Sequence, residues 1–338
     1  MSYAEGEVTT QQQPRAREAV RHVEVTEERA GQRLDNFLMR LLEKVPRSHV
    51  YRLVRRGEVR VNGRRASPEQ RLQWRDKVRV PPVHVEPPAS GPRSPPPRLL
   101  ERIRAAVIHE DSRLIVVDKP PGIATHGGSG VSFGVIETLR ALYPGQPLDL
   151  VHRLDRDTSG CLLIARKPAT LRALHALLRE GHFQKGYLAL LKGHWNLGHK
   201  RIDAPLRTDL RVSGERTVRV HATGKQAVSE FRPVQFFGKQ ATLVEVALFT
   251  GRTHQIRVHA AHAGHPVAGD AKYGDADFNL QMRTAGLERM FLHAHSVSFT
   301  WPQGGEFSAS APLPPDLRSL LDELQSRSGA RRRRHGSS

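Results

Sequence analysis

A proline-rich segment divides this 338-residue chain. Residues 81–97, PPVHVEPPASGPRSPPP, hold eight prolines in 17 positions, and proline lacks the backbone N–H that helices and sheets require. Such a composition predicts a stiff, extended connection without a packed core. We therefore expect a linker over residues 84–97, a small domain over 30–83 and a larger one over 98–326. Residues 1–29 and the basic residues 327–338 are expected to be disordered tails.

The charge balance indicates a polyanionic partner. The chain carries 53 lysines and arginines against 34 acidic residues, a formal net charge of +19. A surplus of this size is typical of proteins that neutralise nucleic-acid phosphates. A membrane surface is disfavoured, because no amphipathic helix with bulky apolar anchors accompanies the basic runs. No apolar stretch approaches the roughly 20 residues that span a bilayer.

The N-terminal sequence and the cysteine content predict a location. MSYAEGEVTTQQQPRAREAV is polar and lacks the apolar core of a signal peptide. Cys161 is the only cysteine, which excludes an internal disulfide framework and fits a reducing compartment. We expect a cytoplasmic protein, and nothing in the sequence requires more than a monomer.

The small domain carries a stripe of arginines. Residues 48–56 predict a helix on which Arg52, Arg55 and Arg56 share one face. The following EVRVNGRRA predicts a hairpin around its Asn-Gly pair. Charge runs are more often solvated surface than binding sites, but this one has a single sign on a compact element, with seven arginines and one acid over residues 47–65. We expect the stripe to contact RNA or DNA.

Strand and helix patterns alternate irregularly in the larger domain. Apolar runs predict buried strands at 113–117, 161–165 and 187–191, and residues 241–249 are expected to pair with 227–237. Consecutive strands without regular helical crossovers are typical of an α+β fold with a largely antiparallel mixed sheet.

A highly charged loop precedes one of these strands. VHRLDRDTSG, residues 151–160, leads directly into the apolar run CLLIA. A surface salt-bridge cluster is one interpretation, but unpaired charge beside a buried strand is costly, so we favour a functional site on a rigid scaffold. The segment TGRTHQIRVH offers Arg252 and Arg257 as cationic partners. An arginine beside an aspartate lowers the pKa of the carboxyl group, which suits a permanently charged nucleophile or base.

Several other kinds of site lack their motifs. The sequence contains neither G-x-G-x-x-G nor a complete phosphate-binding loop. His259, His262 and His265 lie close together, but no H-E-x-x-H or cysteine-rich pattern accompanies them, so we expect no metal site. Cys161 begins an apolar strand and is interpreted as core packing rather than as a nucleophile.

Four motifs, in this order, resemble those of the RluA superfamily of pseudouridine synthases: DKPPGIATHGG, HRLDRDTSG, KGYLALLKGH and GRTHQIRVHAAHAGHPVAGDAKYG. Residues 31–83 resemble an S4-type RNA-binding domain. The resemblance implies an enzyme that isomerises uridine to pseudouridine in RNA with no cofactor or metal. LERMFLHAHSVSFTWP is most similar to the C-type branch, which acts on 23S ribosomal RNA. Other ribosomal uridines, as in the D-type branch, and transfer RNA are the alternatives.

The resemblance also implies roles for individual residues. Asp155 would act at the sugar, either by attacking C1′ or by removing the 2′ proton. Tyr187 would stack on the uracil and could take the C5 proton, and Arg257 would pair with Asp155. Arg153 would fill the gap left by a flipped base, whereas Arg252 would contact a phosphate or hold its loop. Side chains of residues 157–159 are expected to bond to the loop backbone.

Two further classes of function are weighed against this one. A non-catalytic RNA-binding or ribosome-assembly protein would be expected to have altered Asp155, Tyr187 or Arg257, and all three are present. A carboxylate-dependent glycosidase would need a second catalytic acid and sugar-stacking tryptophans, yet the chain has three tryptophans in all.

Overall fold

The computed structural model describes residues 20–42, 45, 47–83, 94–128, 132–210 and 216–335. The chain divides into two compact units, residues 1–93 and 94–338. The division falls within the proline-rich segment, where the sequence places the domain boundary. Tail residues 1–19 and linker residues 84–93 lie outside the described part, so the predictions made for them are not addressed.

The smaller unit combines a four-stranded antiparallel sheet with two helices. The strands are β1 (Arg21–Glu24), β2 (Arg60–Val61), β3 (Arg64–Arg65) and β4 (Lys77–Val80), in the spatial order β1-β4-β2-β3. The helices are α1 (Leu34–Leu41) and α2 (Arg47–Arg56). Apolar residues from both helices and from three strands enter one core, among them Phe37, Val50, Val61 and Val78. The predicted hairpin is present as β2 and β3.

The predicted disordered tail over residues 1–29 needs correction at its end. Residues 21–24 form β1, which pairs with β4 at the edge of the sheet. Val25, which follows the strand, is fully buried in the core. The segment RHVEV therefore adds one strand and one core side chain, although its polar neighbours hide that short alternation in the sequence.

The larger unit is built on a ten-stranded sheet. Its main path runs β10-β13-β14-β9-β15-β8-β6-β5, with β16 paired to β15 and β7 to β8, and a separate pair β11-β12. The bounds are β5 Val107–Glu110, β6 Leu114–Lys119, β7 Asp149–Leu150, β8 Ser159–Ala165, β9 Phe183–Lys192, β10 Lys200–Asp203, β11 Leu206–Leu210, β12 Arg216–Val220, β13 Val228–Phe237, β14 Ala241–Leu248, β15 Leu292–Thr300 and β16 Glu306–Ser310.

This topology confirms the α+β prediction. Among the described strands, β8 and β15 pair in parallel and the other pairs are antiparallel. The predicted pairing of 241–249 with 227–237 is present as β13 and β14, with Ser229 opposite Leu248 and Phe237 opposite Ala241.

The larger unit also contains helices. They are α3 Pro97–Ala105, α4 Val135–Leu142, α5 Pro168–Glu180, α6 Gln255–His262, α7 Ala276–Thr284 and α8 Pro315–His335. Pro97, assigned to the linker from the sequence, instead begins α3, since proline fits the first turn of a helix. The disorder predicted for the basic tail over residues 327–338 also needs correction as far as His335, where α8 ends; alanine and arginine are good helix formers. In the described part of the chain, no helix is both long and apolar enough to cross a bilayer.

The central strand β8 is buried along its whole length. Leu162 and Ile164 enter one apolar cluster, whereas Cys161 and Leu163 enter another. Because successive side chains of a strand point to opposite faces, β8 is covered on both faces. The loop that leads into β8 therefore starts from a rigid position.

Candidate active site

The charged loop over residues 151–158 connects β7 to β8. Within it, the backbone N–H of Thr158 donates to the carbonyl oxygen of Asp155 at 3.2 Å, which forms a turn. The side chain of Asp155 is 17% exposed, so its carboxylate is accessible without being solvated on all sides. The turn presents one carboxylate at the end of the buried strand.

A buried lysine is hydrogen-bonded to the backbone of this loop. Lys119, the last residue of β6, has no exposed surface. Its Nζ donates to the carbonyl oxygens of Pro120, Ile123 and Arg156, each at 2.9 Å. Burial lowers the pKa of Lys119 to about 7, opposed by the charges of the nearby loop carboxylates. The ammonium group thus ties the DKPPG segment to the residue that follows Asp155.

For Asp157 and Ser159, the structure shows contacts other than the expected side-chain bonds to the loop backbone. The Ser159 hydroxyl pairs with Nδ1 of His293 at 2.9 Å and accepts a hydrogen bond from Arg289 at 3.1 Å. Asp157 accepts from the side chain of Arg156. The loop is therefore positioned by its own carbonyl groups, through Lys119, and by side chains that arrive from β15 and the segment before it.

Arg257 binds two carboxylates. Its Nη1 donates to Oδ2 of Asp155 at 3.1 Å, while Nε and Nη2 donate to the two oxygens of Asp270 at 2.7 and 2.8 Å. The side chain of Asp270 is fully buried, and that of Arg257 is 11% exposed. Helix α6 supplies Arg257, and the predicted pairing of this residue with Asp155 is what the geometry shows.

Electrostatic interactions keep both Arg257 and Asp270 charged. Burial by itself would lower the pKa of Arg257, but the hydrogen bonds and charge of Asp270, together with the charge of Asp155, raise it. Burial likewise opposes ionisation of Asp270, but Arg257 and the backbone N–H groups of Lys272 and Tyr273 lower its pKa. Asp270 and Arg257 therefore form a permanent ion pair that orients one guanidinium N–H toward Asp155.

His254 approaches Asp155 from the turn before α6. Its backbone lies in the left-handed region at φ 55°, and its Nε2 is 3.9 Å from Oδ2 of Asp155. Its Nδ1 lies 2.8 Å from the hydroxyl of Tyr273, which accepts a hydrogen bond from the backbone N–H of Val218. A Tyr273 hydroxyl that donates to Nδ1 would place the proton of the neutral imidazole on Nε2, which faces Asp155. Burial lowers the pKa of His254, which favours this neutral form.

Tyr187 lies on β9 and lines the same pocket as Asp155. It is 7% exposed. Burial, with the charge of Asp155 adding to it, raises the pKa of the Tyr187 hydroxyl. A hydroxyl that stays protonated at neutral pH favours the stacking role implied for this residue over the role of a base.

Arg153 and Arg252 flank the pocket in different ways. Arg153 is exposed two residues before Asp155 and lines the pocket wall. Arg252 is also exposed, but its Nε donates to the carbonyl oxygen of Gln226 at 2.9 Å. That contact favours the loop-holding alternative for Arg252, whereas contact of Arg153 with RNA stays a prediction.

Two adjoining cavities open over these groups. One, of about 280 Å³, is lined by Asp155, Tyr187, Lys185, His254 and Arg257. The other, of about 1180 Å³, shares Asp155 and Arg257 with the first and has basic side chains along its rim: Arg156, Arg219, Lys272 and Arg289. A small pocket that opens into a basic groove suits one base of a polyanionic chain.

The arginine stripe of the smaller unit is exposed. Arg52, Arg55 and Arg56 lie on the solvent side of α2, while Val50, Leu53 and Val54 are buried. The face that the helical spacing predicts is therefore the face that the structure exposes.

Other reactive groups are engaged elsewhere. Burial raises the pKa of the Cys161 thiol to about 11, so it stays protonated. His259 lies within hydrogen-bond distance of Ser229 and of the Ala204 carbonyl oxygen. In the part of the chain that the structure describes, no group of three or more histidine, cysteine or acidic side chains is arranged to hold a metal ion.

Sequence reasoning missed four residues of this site: Asp270, His254, Tyr273 and Lys119. Asp270 and Tyr273 lie within the motif segment GDAKYG, but their roles depend on contacts with α6 and β12. Lys119 did carry a usable signal, because a lysine that ends the apolar run LIVV is expected to be buried with its charge satisfied.

Family models match both units. The model described as RNA pseudouridylate synthase matches residues 113–262, which include Asp155, Tyr187 and Arg257. The S4 domain model matches residues 32–78. These matches confirm the resemblance that the sequence motifs indicate.

Close relatives cover almost the whole chain. It is 49% identical over 310 residues to ribosomal large subunit pseudouridine synthase C of Pasteurella multocida, covering 91% of this chain and 95% of that one. It is 48% identical over 311 residues to the protein of the same name from Escherichia coli K12, covering 91% and 97%.

Solved structures resemble the larger part of the chain. Human RNA pseudouridylate synthase domain containing 4 aligns with a TM-score of 0.56 at 25% identity, covering 68% of this chain and 96% of that one. Human RNA pseudouridylate synthase domain containing 1 gives 0.53 at 25% identity, covering 67% and 94%. With near-half identity to relatives along nine-tenths of its length, and a family model that spans the Asp155 loop, this chain belongs to the RluA-type pseudouridine synthases and carries an S4 domain.

Proposed function

We propose that this protein isomerises uridines of large-subunit (23S) ribosomal RNA to pseudouridine. One observation carries the proposal: an accessible carboxylate, Asp155, is held at the floor of a pocket by Arg257, itself fixed by buried Asp270. The names of the relatives support ribosomal RNA of the large subunit as the substrate.

The reaction exchanges one bond to the sugar for another. The bond between N1 of uracil and C1′ breaks, the detached base turns within the pocket, and C5 bonds to C1′. The hydrogen lost from C5 is matched by one gained at N1, so the product has the composition of the substrate. Cleavage at an anomeric carbon needs a nearby carboxylate, as in glycoside hydrolysis. Asp155 supplies it, whether by attack on C1′ or by removal of the 2′ proton.

The pocket walls hold the base while it is detached. Tyr187 presents its ring from β9 and stacks on the uracil, and its protonated hydroxyl is available as a hydrogen-bond donor. Neutral His254 and charged Arg257 keep the carboxylate of Asp155 oriented toward the sugar. These groups restrict the base to rotation, which the isomerisation requires.

The target nucleotide must leave its stack to reach Asp155. Exposed Arg153 occupies the space that the flipped base vacates and compensates the phosphates beside it. Outside the pocket, the stripe of Arg52, Arg55 and Arg56 gives a grip on folded RNA that depends little on sequence. A cytoplasmic monomer stays the prediction made from the sequence.

The substrate class is tested with purified protein and three unmodified RNAs: 23S ribosomal RNA, 16S ribosomal RNA and a transfer RNA pool. Carbodiimide adducts at pseudouridine stop reverse transcriptase, so new stops map the products. We expect stops in 23S RNA alone. Stops confined to transfer RNA would keep the chemistry and overturn the substrate. Tight binding without any stops would instead indicate the rival class, a non-catalytic RNA-binding or ribosome-assembly protein.

A further inference from the structure

The smaller unit exposes a tryptophan that its fold does not use. Trp74 is 55% exposed, whereas the other two tryptophans of the chain, Trp195 and Trp301, are 1% and 6% exposed. Indole is the largest side chain and is usually covered by its own domain or by a partner. Trp74 lies in the turn between the core residue Leu72 and strand β4.

The turn holds this ring in a defined place. The N–H of Asp76 donates to the Gln73 carbonyl oxygen at 3.1 Å, and the Asp76 carboxylate accepts from the Gln73 N–H at 2.7 Å. Arg75 adopts φ 66°, a conformation in which glycine is the usual residue. Its guanidinium carbon lies 4.2 Å from the centroid of the Trp74 ring. The arginine thus covers part of the indole in a cation–π contact, and the exposed remainder stays accessible.

The same turn is bonded to the arginine-rich hairpin. Asp76 accepts a hydrogen bond from the side-chain amide of Asn62 at 2.8 Å, and the N–H of Lys77 donates to the Asn62 side chain at 2.8 Å. Asn62 is the tip of the hairpin, whose other residues include the exposed arginines Arg60, Arg64 and Arg65. Arg65 in turn donates to the carbonyl oxygen of Arg56 on α2 at 3.3 Å.

The chemistry of this region fits one kind of partner. Between residues 47 and 80 the sequence holds eleven lysines and arginines against three acids. Of those acids, Asp76 is buried within the turn and Glu58 lies 4.0 Å from Arg56. An aromatic plane that adjoins several cations matches the pattern of single-stranded nucleic-acid binding, in which cations follow phosphates and aromatic rings stack on bases.

We propose that Trp74 and Arg75 form a stacking platform for an unpaired nucleobase of RNA, continuous with the basic hairpin and α2. The proposal rests on the proposed function only in taking RNA as the ligand. It adds a base contact to a domain whose other predicted contacts are to phosphates. Because every base has an aromatic face, the platform requires an unstacked base rather than a particular sequence.

Indole fluorescence tests the platform directly, because Trp74 is the one exposed tryptophan of the three. The probes are a single strand of twelve uridines and a twelve-base-pair RNA duplex, titrated into the full chain without measuring turnover. We expect the single strand to quench the emission and the duplex to quench it much less. The Trp74→Phe variant is expected to lose the quenching while its Kd for the single strand stays within about threefold.

The Kd for RNA and its salt dependence distinguish a stacking contribution of Trp74 from the contribution of the basic side chains. Trp74→Ala and Trp74→Leu are each expected to raise the Kd for the single strand roughly tenfold, with no change in the slope of log Kd against log salt concentration. Arg55→Ala is the matched comparison, and it is expected to reduce that slope by about one. The substituted side chain is exposed, and circular dichroism verifies that each variant is folded.

Three results would overturn the platform. These are an unchanged Kd in Trp74→Ala, quenching that persists in Trp74→Phe, or a Kd in Trp74→Leu equal to that of the unsubstituted chain. A change in molecular mass on Trp74→Ala with the RNA Kd unaltered would assign the ring to a protein contact instead. Since no readout depends on pseudouridine formation, failure of the platform is distinguishable from failure of the proposed activity.

Discussion

Arg257 is shared between two carboxylates, and this sharing accounts for the arrangement around Asp155. Asp270 takes the bidentate side of the guanidinium and is fully buried, while Asp155 takes the remaining N–H and stays accessible. With both carboxylates ionised, the three side chains carry a net charge of −1. That charge sits at the pocket, where positive charge develops on the sugar as its bond to the base breaks.

Replacing Asp270 tests whether this buried residue is needed to position Arg257 beside Asp155. In Asp270→Asn the buried guanidinium loses its charged partner, so we expect the free energy of unfolding to fall by about 3 kcal/mol. Because Arg257 is then free to turn fully toward Asp155, turnover is expected to fall at least a hundredfold while the Kd for RNA stays within a few-fold. Denaturant unfolding and tritium release from uridine labelled at C5 measure the two effects. Stability and turnover like those of the unsubstituted protein would show that Asp270 does not position Arg257.

Lys119 gives the folded protein a pH dependence of predictable sign. Its pKa is about 7 when folded and near 10.4 when unfolded, so between these values the unfolded chain binds more protons. Stability contributed by this group therefore rises with pH across that window, by up to about 1.4 kcal/mol per pH unit. Lys119→Met should remove this rise, which denaturant unfolding from pH 6.5 to 10 measures. Parallel stability profiles for the variant and the unsubstituted protein would contradict the assignment.

The strands show which parts of the sheet can be predicted from sequence patterns and which cannot. Strand β8 is a run of apolar residues, so its burial is readable directly, and β13 with β14 follows from two β-rich runs across Gly238. The parallel contact of β8 with β15 joins residues more than a hundred positions apart, and no local pattern encodes it. The edge strand β1 was missed because only Val23 and Val25 mark it. Likewise Asp270 and His254 are ordinary polar residues until the fold brings them to Asp155.

The contact between β8 and β15 makes Gly160 a sensitive position. Gly160 has φ 109°, and a Cβ built there would lie 2.2 Å from the carbonyl oxygen of Ala294. We expect Gly160→Ala to lower the free energy of unfolding by about 3 kcal/mol and to shift the Asp155 loop, with loss of turnover.

Gly145→Ala is the matched control for this contact. Gly145 also has a positive φ, of 80°, but a Cβ there would have no atom within 4 Å. Its cost is therefore backbone strain alone, about 1 kcal/mol. Thermal unfolding and tritium release compare the two variants. Equal losses in both would mean that the approach of β15 does not constrain the loop.

We expect catalysis and general RNA binding to be carried mainly by different units. The candidate catalytic side chains Asp155, Tyr187 and Arg257 lie in residues 94–338, and the arginine-rich helix α2 with its hairpin lies in residues 1–93. Composition indicates a polyanionic partner, the proline-rich segment predicts that the basic stripe and Asp155 lie in different domains, and the structure places them in separate compact units.

Deleting residues 1–93 tests this division. We expect weaker binding to 23S ribosomal RNA and a smaller slope of log Kd against log salt, because phosphate contacts are lost. Turnover at saturating RNA is expected to persist, since the Asp155 site is intact in the remaining unit. Filter binding at several salt concentrations measures the change. Binding that keeps both its strength and its salt slope would show that the stripe does not contact RNA.

The role of Asp155 in bond cleavage is tested most directly by Asp155→Asn, which keeps the size of the side chain and removes its charge. Tritium release from C5-labelled 23S ribosomal RNA is measured in single-turnover conditions, with Kd determined in parallel. Asp277→Asn, an exposed aspartate on α7, serves as the control. We predict no release with Asp155→Asn, binding within a few-fold, and unaltered release with the control. Release at the rate of the unsubstituted protein would contradict a catalytic Asp155, and a collapse of RNA binding would make the residue structural.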